Sequence, residues 1–247
     1  MDGHPKILIT GATSRLGREL AQQLADQGNH ILATGRRQSR PETLSEHDLI
    51  EGQVLDLNDQ TAIEAFCKSI DEIDGIILNA GITFADDFIK GDLETDLALI
   101  QTNIVANLQL IRALMPILKA NQGRILLIAS LGGLVPVPYQ SVYAGTKAFL
   151  VNFGLSLREE LAGTGVSVSI FAPGGIKTEM TDIPAMSHLE KNMAPVKDVA
   201  MAAIKAYEKT PSLSVPGFQN KIIAFAGKFL SRAFIAKQAA KIYNNKK

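Results

Sequence analysis

Tyr143-Ala144-Gly145-Thr146-Lys147 sets a phenol and an ammonium at i and i+4, on one face of a helix. A phenol of pKa ~10 transfers protons poorly near neutral pH. An adjacent ammonium favours the phenolate and lowers that pKa. Such a pair can give a proton to a carbonyl oxygen as hydride reaches the carbon, or take one in the reverse direction. Thirteen residues earlier, Ser130 ends the apolar run GRILLIA, where its hydroxyl could hold the same oxygen. A Tyr-x-x-x-Lys spacing is common on helix surfaces, so it gains weight only in combination with other signals.

The second signal is Thr10-Gly11-Ala12-Thr13-Ser14-Arg15-Leu16-Gly17, which follows the run KILIT and precedes a helical pattern. Glycine at a strand end lets the backbone turn tightly and approach a pyrophosphate, and the helix N-terminus offers N–H groups and partial positive charge. Gly17 lets the helix pack close to the sheet. A plain strand-helix turn would look much the same, but this one follows the first strand, where dinucleotides bind. The second strand candidate ends in Arg36-Arg37. An acidic residue there suits the ribose 2′-hydroxyl of NAD, and a basic one the 2′-phosphate of NADP. One charge-assisted contact, ~1.5–3 kcal/mol, favours NADP roughly ten- to a hundredfold. Arg36 and Arg37 could also be a solvated loop pair.

The elements that must position these groups are short apolar runs alternating with helical patterns. Strands are expected at 6–10, 30–34, 51–55, 75–79, 123–129, 166–172 and 212–215, and helices at about 15–27, 59–71, 94–119, 141–163 and 197–209. Near-continuous apolar strands are covered on both faces, so the alternation implies an α/β fold: a doubly wound parallel sheet of about seven strands with helices on both faces. The 247 residues show no linker or repeat and read as a single domain, 1–247. The segment 218–247 is a basic, helical C-terminal extension. Lys228 and Arg232 fall on one side of a helix and Lys237 and Lys241 on nearly the opposite side, so a break near 233–236 or two short helices are expected. Packing is the preferred reading of this segment over a peripheral membrane or acidic-partner surface.

Twenty-five basic residues balance twenty-five acidic ones, which argues against a dedicated nucleic-acid binder. A single cysteine, Cys67, excludes an intrachain disulfide, and four histidines without ligand spacing give no case for a metal. Neither a signal peptide nor a transmembrane run is evident, so the expected location is cytoplasmic.

Together these motifs resemble the short-chain dehydrogenase/reductase family, in its compact branch of about 250 residues, over residues 6 to about 215. The resemblance implies a Rossmann-type fold and NADP(H)-linked oxidoreduction. It also implies roles. Gly11, Thr13, Ser14, Arg15, Leu16 and Gly17 form the cofactor turn, with Arg15 standing where the family usually has glycine. Asp56-Leu57 contacts adenine, and Asn79-Ala80-Gly81 closes the fourth strand. Pro173-Gly174, with Ile176 and Thr178, receives the nicotinamide. Asn103, placed by its spacing to Pro116 rather than Asn107, joins Ser130, Tyr143 and Lys147 and holds a water that links the lysine to solvent. Plainer readings stand beside these: Asp56 caps a turn, Asn79 ties strands, and Pro173-Gly174 merely ends a strand.

In the family the substrate walls come from three segments, here Ile82-Thr83-Phe84, Leu131 to Tyr139, and Glu179 to Pro195. The middle one, LGGLVPVPY, is apolar. Met180, Met186 and Met193 suit an adaptable lid or simply fill loop contacts. The expectation is a largely apolar ketone or aldehyde, including a 3-oxoacyl chain. The resemblance implies a homodimer or homotetramer built on the helices at 94–119 and 141–163. The alternatives are a non-catalytic NADP-binding regulator and a reductase working at a membrane surface. A sugar-nucleotide epimerase fits less well, because no sizeable substrate domain follows residue 215.

Overall fold

The computed structural model describes residues 4–36, 41–85, 87–177 and 193–244. Seven parallel strands form one sheet: β1 (Lys6–Ile9), β2 (His30–Gly35), β3 (Ile50–Val54), β4 (Gly75–Leu78), β5 (Arg124–Ile128), β6 (Ser167–Phe171) and β7 (Leu213–Ser214). Their order is β3-β2-β1-β4-β5-β6-β7. The chain builds outward from β1 to β3 and then returns to the other side of β1 to lay down β4 through β7. That reversal opens a crevice beside the C-terminal ends of β1 and β4, where ligands bind in such sheets.

The pleat divides the core in two. Leu8, Leu32, Ile76, Leu78, Leu127 and Ile170 face α2 (Gln60–Lys68), α4 (Ala106–Ala120) and α5 (Ser141–Glu160). Ile7, Ile9, Ile31, Ile77, Leu126 and Phe171 face α1 (Arg15–Asp26) and α6 (Val196–Lys209). Helix starts follow their caps: Ser14 Oγ accepts from Gly17 N at 3.1 Å, Asp59 from Ala62 N at 3.0 Å, and Asp92 from Thr95 N at 2.8 Å.

Three expectations change. The helix expected at 94–119 is α3 (Leu93–Ile100), a π-helical turn at Gln101–Val105, and then α4. Side chains explain the wider turn: Gln101 donates to Leu57 O at 3.4 Å, Thr102 to Asn58 Oδ1 at 3.1 Å, and Asn103 to Ile82 O at 3.0 Å. One extra residue per turn aims three successive side chains at the loops after β3 and β4. The break in the C-terminal segment falls at 227–231 rather than 233–236, between α7 (Phe218–Ala226) and α8 (Arg232–Asn244). A serine sets the new start: Ser231 Oγ accepts from Phe234 N at 3.2 Å and caps α8. A 3-10 turn at Pro41–Glu46 was not expected. The stretch Leu93–Ala120 is long and apolar enough to cross a membrane, but Leu110, Leu114 and Leu118 are fully buried in the core.

Candidate active site

The turn after β1 is fastened rather than loose. Gly11 adopts φ +62°, and a Cβ there would lie 2.8 Å from Ala80 Cα. A Cβ on Gly17 would run into Gly11 O, so α1 starts as close to the turn as backbone allows. Asn79 donates to Thr10 O at 3.0 Å and Gly11 O at 3.1 Å, and Thr10 Oγ1 accepts from Ala80 N at 3.1 Å. Asn79 therefore does tie strand ends, as its plainer reading had it, and in doing so fixes the turn. Thr10, fully buried, is a member of this assembly that the motif alone did not single out.

Arg15 begins α1 with its side chain exposed, and no acidic residue occupies the first turn. The arginine thus leaves the helix N-terminus with its positive end toward the crevice. The cradle fits a dinucleotide phosphate despite the missing glycine. Leu16 is buried in the core and Thr13 is partly buried. Arg36 is exposed just beyond β2, and Arg37 and Thr178 lie outside the described residues. Asp56 is exposed and accepts from Asn58 N at 2.9 Å, which caps the turn, while Leu57 is core.

Across the crevice, β5, α5 and the π turn bring four side chains together. Asn103 is fully buried; its Oδ1 accepts from Ile82 N at 2.9 Å, and its Nδ2 donates to Ile82 O and to Thr146 Oγ1, both at 3.0 Å. Thr146 Oγ1 in turn donates to Tyr143 O at 2.7 Å. Thr146 is a second residue the motif reading missed, although it stands inside the Tyr143–Lys147 turn. Asn107, one helical turn on, donates to Asn103 O at 2.8 Å.

Ser130 follows β5 and shares a side-chain hydrogen bond with Tyr143. Burial pushes the Tyr143 phenol up from its usual value, and the Ser130 bond pulls it back. The expected lowering by Lys147 does not dominate here, because the Lys147 ammonium donates to Ile128 O at 2.9 Å and stands 5.8 Å from the Tyr143 ring centre. Burial instead pulls Lys147 itself down to about 8. Gly81 makes room for this arrangement: a Cβ there would lie 3.2 Å from Lys147 Nζ and 3.3 Å from Asn103 Oδ1.

Pro173 is buried, and its carbonyl accepts from Leu131 N at 2.7 Å, which ties the turn after β6 to the segment after Ser130. Ile176 bridges to Ala194, so both ends of the intervening segment are held together. Met193 is buried against Gly175, a loop contact, whereas Met180 and Met186 lie outside the described residues. A small hollow beside Tyr143 is lined by Phe84, Phe88, Leu99 and Tyr139, and also by Asp87, Asp92 and Asp96. Two of those carboxylates serve local turns: Asp87 accepts from Ile89 N at 3.2 Å and Asp92 from Thr95 N. Helix α7 borders the turn after β6, with Asn220 packed on Gly174 and Gly227 close to Val135. Sequence patterning placed no site residue there.

The model of the family described as short chain dehydrogenase matches residues 5–185, most of the chain. The chain belongs to the short-chain dehydrogenase family. It is 33% identical over 183 residues to a 3-oxoacyl-(acyl-carrier-protein) reductase of Haemophilus influenzae, covering 71% of this chain and 76% of that one. It is also 33% identical over 221 residues to sulfoacetaldehyde reductase 2 of Chromohalobacter salexigens, covering 83% and 88%. A short-chain dehydrogenase from Sphingobium yanoikuyae, solved in complex with NADPH, superposes with TM-score 0.81 at 25% identity, covering 91% of this chain and 93% of that one. The chain thus shares both sequence and architecture with oxidoreductases of this family.

Proposed function

We propose that the chain acts as one domain and is an NADP(H)-dependent carbonyl reductase or alcohol dehydrogenase, acting on a largely apolar ketone or aldehyde such as a 3-oxoacyl compound. The observation that carries this reading is the convergence of the hydrogen-bonded Ser130–Tyr143 pair with the buried Lys147 at the strand ends. NADP(H), when bound, supplies or accepts the hydride. Ser130 holds the carbonyl oxygen, and Tyr143 gives that oxygen a proton in reduction and takes one back in oxidation. Lys147 supports the phenol from its own helix and holds the nicotinamide ribose, and Asn103 completes the route by which protons reach solvent. Arg15 and Arg36, with Arg37, would receive the 2′-phosphate. The cofactor cradle includes Gly11, Thr13, Ser14, Leu16, Gly17, Asp56, Leu57, Asn79, Ala80 and Gly81, and the nicotinamide side includes Pro173, Gly174, Ile176 and Thr178.

Support for apolar substrates comes from Phe84, Phe88, Leu99 and Tyr139, which share the hollow with Asp87, Asp92 and Asp96. A cytoplasmic setting and a homodimer or homotetramer belong to the same reading. A non-catalytic cofactor-binding role is not favoured, because Ser130, Tyr143 and Lys147 converge. The test is NADPH oxidation across a panel of ketones and aldehydes. Tyr143→Phe should lower kcat by roughly 10²–10⁴. Turnover that survives this change undiminished would overturn the assignment.

A further inference from the structure

Helix α7 is amphipathic in an unusual sense: its polar and small side faces the protein and its apolar side faces out. Asn220, Ala224 and Gly227 share the inner face, with Asn220 on Gly174 and Gly227 near Val135. At about 100° per residue, Phe218, Ile222 and Phe225 gather opposite to it, and Phe229 follows in the turn beyond α7, its N donating to Ala226 O at 3.1 Å. They are 79%, 52%, 62% and 74% exposed. The Phe225 and Phe229 rings stand 4.9 Å apart, so the stripe is continuous at its end. Lys221 falls along one flank of this stripe, and Lys228 lies in the turn just beyond α7; both are exposed.

Charge is concentrated on the same segment. Beyond Pro216 there are seven basic residues and no acidic one, so the rest of the chain holds 18 basic against 25 acidic residues. An aromatic stripe edged by lysines matches the boundary between acyl chains and anionic headgroups. A two-fold contact between copies through this face would instead set cations against cations, because such interfaces pair a patch with itself.

We propose that α7 and the start of α8 form a docking face for an anionic lipid surface. Phe218, Phe225 and Phe229 enter the headgroup boundary, and Lys221, Lys228 and Arg232 meet the lipid phosphates. Because the inner side of α7 borders the turn at Gly174, docking sets that side of the crevice at the membrane. The inference stands on the surface itself and does not depend on the catalytic reading.

The test is co-sedimentation of the full chain with mixed phosphatidylserine–phosphatidylcholine vesicles and with pure phosphatidylcholine vesicles. Binding to the mixed vesicles is expected, falling with added salt. It should drop at least about tenfold in Phe225→Asp/Phe229→Asp and in Lys221→Glu/Lys228→Glu, with the melting temperature checking that each variant folds. No binding by the parent chain, or binding undiminished in both variants, would overturn the proposal. So would sedimentation velocity showing that either variant splits an oligomer into monomers, which would make the face a contact between copies.

Discussion

The two sides of the crevice are built on opposite terms. On one side, Asn103, Thr146 and Lys147 are buried, and each is hydrogen-bonded to a neighbouring element. On the other side, α7 touches the protein through small side chains and leaves its large ones in solvent. The first side has little freedom to vary, because each group there is positioned by another. The second can change its surface without disturbing a buried network. The proposed chemistry, which must be placed to a fraction of an ångström, falls on the first, and the proposed docking face, which has room to diversify, falls on the second.

The sharpest test of this contrast is the same substitution made on each side. Asn103→Ala strips partners from Ile82 N, Ile82 O and Thr146 Oγ1 in the interior, and should cost about 3–5 kcal/mol in denaturant unfolding. A cost under about 1 kcal/mol would mean that water replaces the side chain and that this wall is not fixed as described. Lys147 gives the next largest effect. Its folded pKa lies near 8, below its ordinary 10.5. Below pH 8 both states are protonated and the full cost of burying the charge is present. Between about 8 and 10.5 the unfolded chain holds the extra proton, so stability rises with pH. Lys147→Met should remove that rise, about 3 kcal/mol in all, and matching pH profiles for parent and variant would contradict it. At the small end, Asn220→Ala loses one bond to Pro216 O at 2.7 Å on a half-exposed helix. It should cost at most about 1 kcal/mol by the same unfolding measurement, and a larger loss would show α7 to be as fixed as the opposite wall.

What was legible in the sequence divides along the same line. Strands covered on both faces leave uninterrupted apolar runs, and the turn at Gly11 and the Tyr143–Lys147 pair are local in sequence, so all could be read directly. The π turn could not, because an apolar pattern through Leu97, Leu99 and Ile104 continues across it. Only the loops reached by Gln101, Thr102 and Asn103 decide its width. Thr146 was invisible for a similar reason: its role depends on Asn103, far away in the chain. In the C-terminal segment the positions of the lysines suggested two helices, but the break is set by the Ser231 cap rather than by the charge pattern. The contact of Asn220 with Gly174 is long-range and leaves no spacing to read.

Everything proposed for the crevice at β1 and β4 turns on NADP(H) binding there, with Arg15 and Arg36 choosing the phosphorylated cofactor. Fluorescence titration of the purified protein with NADPH and with NADH tests this directly. NADPH should bind roughly ten- to a hundredfold tighter than NADH, with the difference reduced in Arg15→Ala/Arg36→Ala. Equal affinities would contradict the role of the arginines, and binding of neither cofactor would contradict the site itself.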